Sequence, residues 1–330
     1  MSDTGNFTFE NINSLARGFQ ESRVFLTAFE LDIFTVIGRV EMSSEEIAGE
    51  IKADSRATDR LLNALCVTGV IKKENNKFRN SEAAAQYLVK GKQGYQAGIM
   101  HTVHLWDSWS RLTESVLNGG LVREAPFEER EDDWYEPFIA AMHNRAVKEA
   151  PGLVAEIDLS GVRKVLDVGG GSGAYSIAFV RAGNRLTVTV FDLPNVVPLT
   201  QNYIKEAGLE EFINTAPGDY KSDDLPSGFD LAFLSAIIHS NSPAENMDLF
   251  KKVGRALNPG GRIVVSDFIM DDDRISPAFG VFFSLNMLVN TASGDTYTES
   301  EIKEWMKLAG LDFLERKESK NTGLVIGLKP

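Results

Sequence analysis

The chain has 330 residues, 43% of them hydrophobic and 25% charged, enough for more than one core and ordinary for a globular protein. Its net charge of −13 argues against a main task of binding a polyanion, and no apolar run approaches the roughly 18 residues of a membrane span. The single cysteine, Cys66, allows neither an internal disulfide nor a Cys-based metal site.

The opening stretch MSDTGNFTFE has neither the basic nor the apolar region of a signal peptide, so a cytoplasmic protein is expected. Apolar residues at mixed helical spacings predict a helix from about Asn11 to Ile37. Ser43 with Glu46 reads as a capping box before a short helix. A second helix carries Leu61, Leu62, Leu65 and Cys66, and Val70–Arg79 reads as a hairpin turning at Asn75-Asn76. Helix, helix, hairpin is a winged-helix pattern. Lys72, Lys73, Lys77 and Arg79 on the wing would suit DNA, but the acidic whole favours a scaffold or dimerisation module.

A further helix is predicted from about Tyr95 to Leu117. Its His101 and His104 could share a face, but no other ligands stand at metal spacing, so no metal is expected. The acidic run 128–133 reads as a linker into a helix over about Trp134–Glu149, and Pro151-Gly152 reads as a domain boundary. From Val162 onward strands and helices alternate, as in a parallel α/β sheet. Strands are predicted at Lys164–Val168, Thr187–Phe191, Ile213–Ala216, Leu231–Leu234 and Arg262–Phe268, with a closing hairpin near the end.

Ligands of such a sheet bind at the carboxyl ends of its strands. The first strand ends in Asp167 and runs into Gly169-Gly170-Gly171-Ser172-Gly173, a turn that lets backbone approach a nucleotide-like cofactor. Gly169-x-Gly171-x-x-Ala174 also fits a dinucleotide fingerprint, so the glycines leave a nicotinamide oxidoreductase open. Asp192 ends the second strand, where a carboxylate can accept from two ribose hydroxyls of either cofactor. At the third strand's end Asp219 could accept from an adenine amino group and Tyr220 could cover the adenine face.

Four ordered motifs carry more information than the glycines alone. Leu166-Asp167-Val168-Gly169-Gly170-Gly171-Ser172-Gly173, Phe191-Asp192-Leu193-Pro194, Gly218-Asp219-Tyr220 and Ala256–Arg262 closely resemble the S-adenosylmethionine-dependent O-methyltransferases of the plant caffeate, bacterial natural-product and hydroxyindole type. The resemblance covers nearly the whole chain. It implies a class I methyltransferase sheet of Rossmann-like α/β type after a mainly helical winged-helix dimerisation domain. It implies domains at 1–95 (dimerisation), 96–155 (helical, pocket-forming) and 156–330 (cofactor-binding), and a homodimer acting on a small molecule.

Carried over by position, the resemblance sets Gly169, Gly171 and Gly173 against the methionine part of the cofactor and Asp192 on its ribose. Asp219 and Tyr220 would hold the adenine, with Asp167, Leu193, Gly218 and Ser235 in the same cofactor site. Phe138, Met142, His143, Phe283, Asn286, Met287 and Asn290 would line the substrate pocket. His239, at the family's His-Asp-Trp position, would be the general base that takes a hydroxyl proton, since an imidazole ordinarily titrates near neutrality.

Two departures stand out. His239 is followed by Ser240-Asn241, and Thr296 occupies a position that is often Glu in the family. Asp267, at a family acidic position after the fifth strand, is the substitute candidate for orienting His239. A sulfur or carbon acceptor, which needs less help from a base, is the alternative to oxygen. A cofactor-sensing winged-helix regulator without catalysis is a further one.

Overall fold

The computed structural model describes residues 7–122, 132–183, 185–319 and 322–330. The chain divides into two compact units, Met1–Asp107 and Ser108–Pro330.

The first unit contains α1 (Phe9–Arg17), α2 (Phe19–Glu30), α3 (Ile33–Ile37), α4 (Ser44–Glu50), α5 (Ser55–Val67), the hairpin β1 (Ile71–Glu74) and β2 (Lys77–Asn80), and α6 (Glu82–Tyr87). The helix expected over 11–37 is thus three helices. Asp32 adopts a left-handed conformation (φ +58°), which Asp tolerates better than most residues and which no helix can continue through. The Ser43–Glu46 capping box forms as expected. Asn75 and Asn76 take φ of 49° and 59°, the two positive angles that a two-residue hairpin turn needs. Leu62, Leu65, Ile71 and Phe78 from the winged-helix elements pack with Phe29, Ile33, Phe34 and Ile37 in one core.

The helix expected over 95–117 is α7 (Ile99–Ser110) followed by α8 (Leu112–Asn118). Gly119, at φ +77°, stops α8 by bonding its N–H back to Ser115. Next comes α9 (Asp132–Ala155), which runs through Pro151-Gly152 without ending. A proline inside a helix costs about 3 kcal/mol. Here Ala150, Leu153 and Val154 are buried in a core under the sheet, and that packing outweighs the local stop signal. Residues 123–131, with most of the predicted acidic linker, lie outside those described.

The rest of the second unit alternates strand and helix. In order come β3 (Lys164–Val168), α10 (Ala174–Ala182), β4 (Thr187–Asp192), α11 (Val197–Ala207), β5 (Ile213–Pro217) and β6 (Phe229–Ser235). Then follow α12 (Pro243–Ala256), β7 (Leu257–Asp267), α13 (Ala278–Asn290), α14 (Glu299–Leu308), β8 (Asp312–Ser319) and β9 (Thr322–Leu328). The sheet order is β5-β4-β3-β6-β7-β9-β8, parallel through the first five and closed by the antiparallel pair. Side chains alternate between faces. On β6, Leu231 and Phe233 meet α9, α10 and α11, while Ala232 and Leu234 meet α12 and α14. Strands apolar on both faces leave chemistry only to their ends. From β3 the chain fills the sheet outward to β5, then returns to place β6 on the other side of β3. That reversal is the topological switch point, where a crevice opens outside the strand ends.

Candidate active site

Five strand ends meet around the switch point. Val168 pairs with Phe191 on one side and Leu234 on the other, Asp192 pairs with Pro217, and Ser235 pairs with Ser266. The candidate residues on β3 to β7 are therefore neighbours across the sheet.

The turn after β3 is built on three left-handed glycines, Gly169 (φ +64°), Gly171 (φ +56°) and Gly173 (φ +73°). At Gly169 the backbone angle demands glycine, and at Gly170 a Cβ would lie 2.7 Å from the Asp167 carboxyl and 2.9 Å from Val190, so there space demands it. The Gly169 N–H donates to the Phe191 carbonyl (2.7 Å) and Thr200 donates to the Gly171 carbonyl (2.5 Å). The Asp192 carboxylate accepts from the N–H of Gly171 (2.7 Å) and of Leu193 (2.7 Å), which ties the second strand end to the loop. Burial pushes the Asp192 carboxyl above the usual carboxylate range, against those two N–H bonds. Asp167 is buried and accepts from Ser176 Oγ (2.6 Å). Burial above all, with Asp192 adding to it, pushes its carboxyl up to about 7.

Gly218 leads out of β5, its N–H on the Asp192 carbonyl at 2.9 Å. A Cβ there would lie 2.5 Å from the Phe191 ring. Asp219 Oδ1 accepts from the Lys221 N–H (2.9 Å), shaping its own turn, and Tyr220 donates its hydroxyl to Asn241 (3.1 Å). Ser235 stands half-buried at the end of β6, paired with Ser266 of β7.

His239 sits on the short 3₁₀ turn Ile238–Ser240 after β6. Its Nδ1 lies 2.7 Å from Asp267 Oδ1 at the end of β7, and Asp267 is 2% exposed. The same carboxylate accepts from the N–H of Phe268 (2.8 Å) and of His239 (3.4 Å). A carboxylate oxygen accepts, so Nδ1 donates, and in the neutral ring Nε2 is the nitrogen that keeps a lone pair. Phe283 meets the imidazole edge-on (5.0 Å, 84°), and Phe268 packs against Phe283 at 4.3 Å. Thr296, at the family's frequent Glu position, is buried and donates to the Gly280 carbonyl (3.2 Å).

On α13, Asn290 donates to Asn286, and Asn286 accepts from the Trp109 indole (3.0 Å). Met287 is buried. Met142 is exposed, and the side chain of Phe138 lies outside the described residues. His143, grouped with the substrate contacts from the sequence, meets the glycine loop. Its Nδ1 is 2.8 Å from Ser172 Oγ in the glycine loop, and its ring stacks on Tyr203 at 3.9 Å.

Sequence reasoning missed Trp109, the Phe268 ring and Lys252. The Lys252 ammonium is buried under the Gly218 turn, donating to the carbonyls of Tyr220 (2.8 Å) and Lys221 (3.2 Å). A lysine beside Leu249, Phe250 and Val253 on the inward face of a helix was the signal available for it. Among the described residues no cluster of three or more His, Cys, Asp or Glu could hold a metal ion, and no helix is long and apolar enough to cross a membrane.

A switch point with a glycine turn, a carboxylate at the next strand end and a histidine after the fourth strand is the arrangement of an α/β enzyme that uses a nucleotide-type cofactor. Comparison with known proteins narrows the class. Residues 121–312 match the family model for the O-methyltransferase domain, and residues 13–90 match that for the O-methyltransferase dimerisation domain. The chain belongs to the O-methyltransferase family and is an S-adenosylmethionine-dependent methyltransferase. It is 33% identical over 305 residues to 3-hydroxy-5-methyl-1-naphthoate 3-O-methyltransferase of Streptomyces sahachiroi, covering 91% of this chain and 88% of that one. It is 29% identical to acetylserotonin O-methyltransferase of Bos taurus, covering 91% of each. The solved structure of PigF with S-adenosylhomocysteine matches with a TM-score of 0.86 at 25% identity, covering 98% of this chain and 100% of that one. The loop fits such a cofactor. At Gly171 a Cβ would meet only the Ile139 side chain, at 3.9 Å, so the backbone there stays open to a ligand, and the Asp192 carboxylate holds the Gly171 N–H at the next strand end.

Proposed function

We propose that this enzyme methylates a hydroxyl group on a small aromatic molecule, with His239 as general base. The 2.7 Å contact between His239 Nδ1 and Asp267 Oδ1 carries this assignment, because it leaves Nε2 as the proton acceptor. Gly169, Gly171 and Gly173 hold the methionine part of the cofactor. Asp192 holds the ribose, and Asp219 and Tyr220 hold the adenine, with Asp167, Leu193, Gly218 and Ser235 framing the site. Bound S-adenosylmethionine supplies a methyl group made electrophilic by its sulfonium sulfur.

The chain's own part is alignment and proton control. Asp267 fixes the ring of His239 and its tautomer, and it favours the imidazolium that forms when Nε2 takes the hydroxyl proton. The rings of Phe268 and Phe283 pack beside the imidazole and offer flat apolar walls, which favours an aromatic acceptor. Asn286, Met287 and Asn290 on α13 form the same wall. Holding acceptor and donor in line can supply up to roughly 7–11 kcal/mol of barrier reduction.

The N-terminal unit pairs two copies. The matched dimerisation domain supports this, as do Phe9, Ile12, Leu15 and Phe19, all more than half exposed. The lone cysteine and the acidic charge fit a cytoplasmic enzyme with no nucleic-acid partner.

The test is calorimetry with S-adenosylhomocysteine and with NAD, followed by methyl transfer from labelled S-adenosylmethionine to N-acetylserotonin and to 3-hydroxy-5-methyl-1-naphthoate. Binding of S-adenosylhomocysteine alone and label on the acceptor oxygen are the expected results. Full activity in His239→Ala across pH would remove the base assignment.

A further inference from the structure

The second departure from the family's His-Asp-Trp run, Asn241, has a chemistry of its own. Its side chain is fully buried, and so is that of Asn246 on α12. A buried amide is costly unless each polar atom is bonded, so two of them packed together specify one arrangement. The bonds run in one direction. The Tyr220 hydroxyl donates to Asn241 Oδ1 at 3.1 Å, Asn241 Nδ2 donates to Asn246 Oδ1 at 3.0 Å, and Asn246 Nδ2 donates to the Ile238 carbonyl at 2.9 Å. Ile238 is the residue before His239. The far side of the same turn is held too. The Tyr297 hydroxyl donates to the Asn241 carbonyl, and the Asp295 N–H donates to the His239 carbonyl at 3.0 Å.

The two ends of this chain of bonds belong to different halves of the site. Tyr220 stands at the seat proposed for the adenine, and Ile238 begins the turn that aims the imidazole. We propose that Tyr220, Asn241 and Asn246 form a relay through which the adenine seat sets the position of the His239 turn. Asn241 is then a positioning residue for proton removal at Nε2. This rests on the assignment of Tyr220 to the adenine and of His239 to the acceptor hydroxyl. A fixed chain of directional bonds transmits a shift at one end because each group follows the acceptor it is bonded to. A misplacement of about 1 Å at a reacting group can cost on the order of 10²-fold in rate.

The chain has only four histidines, so the His239 imidazole can be followed by nitrogen NMR in the full-length protein with labelled histidine, assigned through His239→Ala. S-adenosylhomocysteine is the probe. In the wild type its binding is expected to move the His239 ring signals. Tyr220→Phe keeps the ring and removes the first donor. Its affinity for the probe should stay within about tenfold, the size of one hydrogen bond, while the His239 response is lost. Asn241→Ala should lose the same response, and the double variant should be no worse than the single ones. His143, against Ser172 in the glycine loop, is the internal reference, and its response should survive in every variant. If the probe fails to bind the wild type, the cofactor-site assignment fails. If it binds but His239 responds equally in wild type and Tyr220→Phe, or in neither, the relay alone is overturned. Tyr220→Phe removes one hydroxyl from a partly buried side chain, so it tests the relay even where Asn241→Ala does not fold.

Discussion

Asp267 meets His239 twice, at Nδ1 of the ring (2.7 Å) and at the backbone N–H (3.4 Å). One carboxylate thus fixes both the imidazole and the turn that carries it. His239→Ala is expected to lower kcat by about 10²–10⁴-fold. Asp267 Oδ1 accepts from both His239 Nδ1 and the Phe268 N–H, so in Asp267→Asn the amide oxygen keeps that place and the NH₂ takes the position near the His239 N–H. The ring keeps its tautomer but loses the negative charge that favours the imidazolium, so kcat falls by roughly 10- to 100-fold, the worth of a hydrogen bond to a charged group. Calorimetry should show S-adenosylhomocysteine binding kept in both variants, which separates loss of the base from loss of the cofactor.

Asp192→Ala attacks the cofactor side instead. It removes the acceptor for Gly171 and Leu193 as well as the proposed ribose contact. Hydrogen bonds to a charged group are worth about 1.5–3 kcal/mol, so S-adenosylhomocysteine should bind roughly 10- to 100-fold more weakly by calorimetry. An unchanged dissociation constant would remove Asp192 from the site.

Two glycine-to-alanine changes should move stability in opposite directions. At Gly170 the new methyl lies 2.7 Å from the Asp167 carboxyl and 2.9 Å from Val190, so overpacking should cost about 1–3 kcal/mol. At Gly152, inside α9, nothing lies within 4 Å, and alanine should add about 0.5–1 kcal/mol through helix propensity. Urea denaturation of both variants measures the contrast.

Stability should also carry the mark of Asp167. Its carboxyl keeps its proton up to about 7 in the fold, whereas in the unfolded chain it releases it near about 4. Between those limits the native state binds more protons, so this group's contribution falls as pH rises through that window. Asp167→Asn can still accept from Ser176 and has no charge to bury. The gap in melting temperature between variant and wild type should widen in the variant's favour from pH 4 to 7 and then level off. A gap that stays constant with pH would contradict the buried acid.

Much of the strand-end cluster was legible in the sequence because parallel strands, buried on both faces, read as apolar runs whose polar residues stand at the ends. Asp167, Asp192 and the glycine turn stand at neighbouring strand ends for that reason. The opposite wall was harder. His239 and Asp267 lie 28 residues apart in the chain, and only the family resemblance suggested their pairing. His143 was grouped with substrate contacts through the family resemblance, which does not name what the side chain meets in this chain. Its partner, Ser172, belongs to another element. The break at Asp32 and the continuation through Pro151 went unread because the first is a single backbone angle and the second is decided by tertiary burial.

That continuation bears on how the enzyme can be rebuilt. A helix that runs unbroken from Asp132 to Ala155 joins residues beside the glycine loop to residues buried under the sheet as one rigid rod. A chimaera that exchanges acceptor preference between relatives should therefore be spliced at the left-handed Gly119 and not at Pro151-Gly152. A joint at the proline would set one parent's helix face on the other parent's core, and the mismatch would travel along the rod to His143 and the cofactor loop.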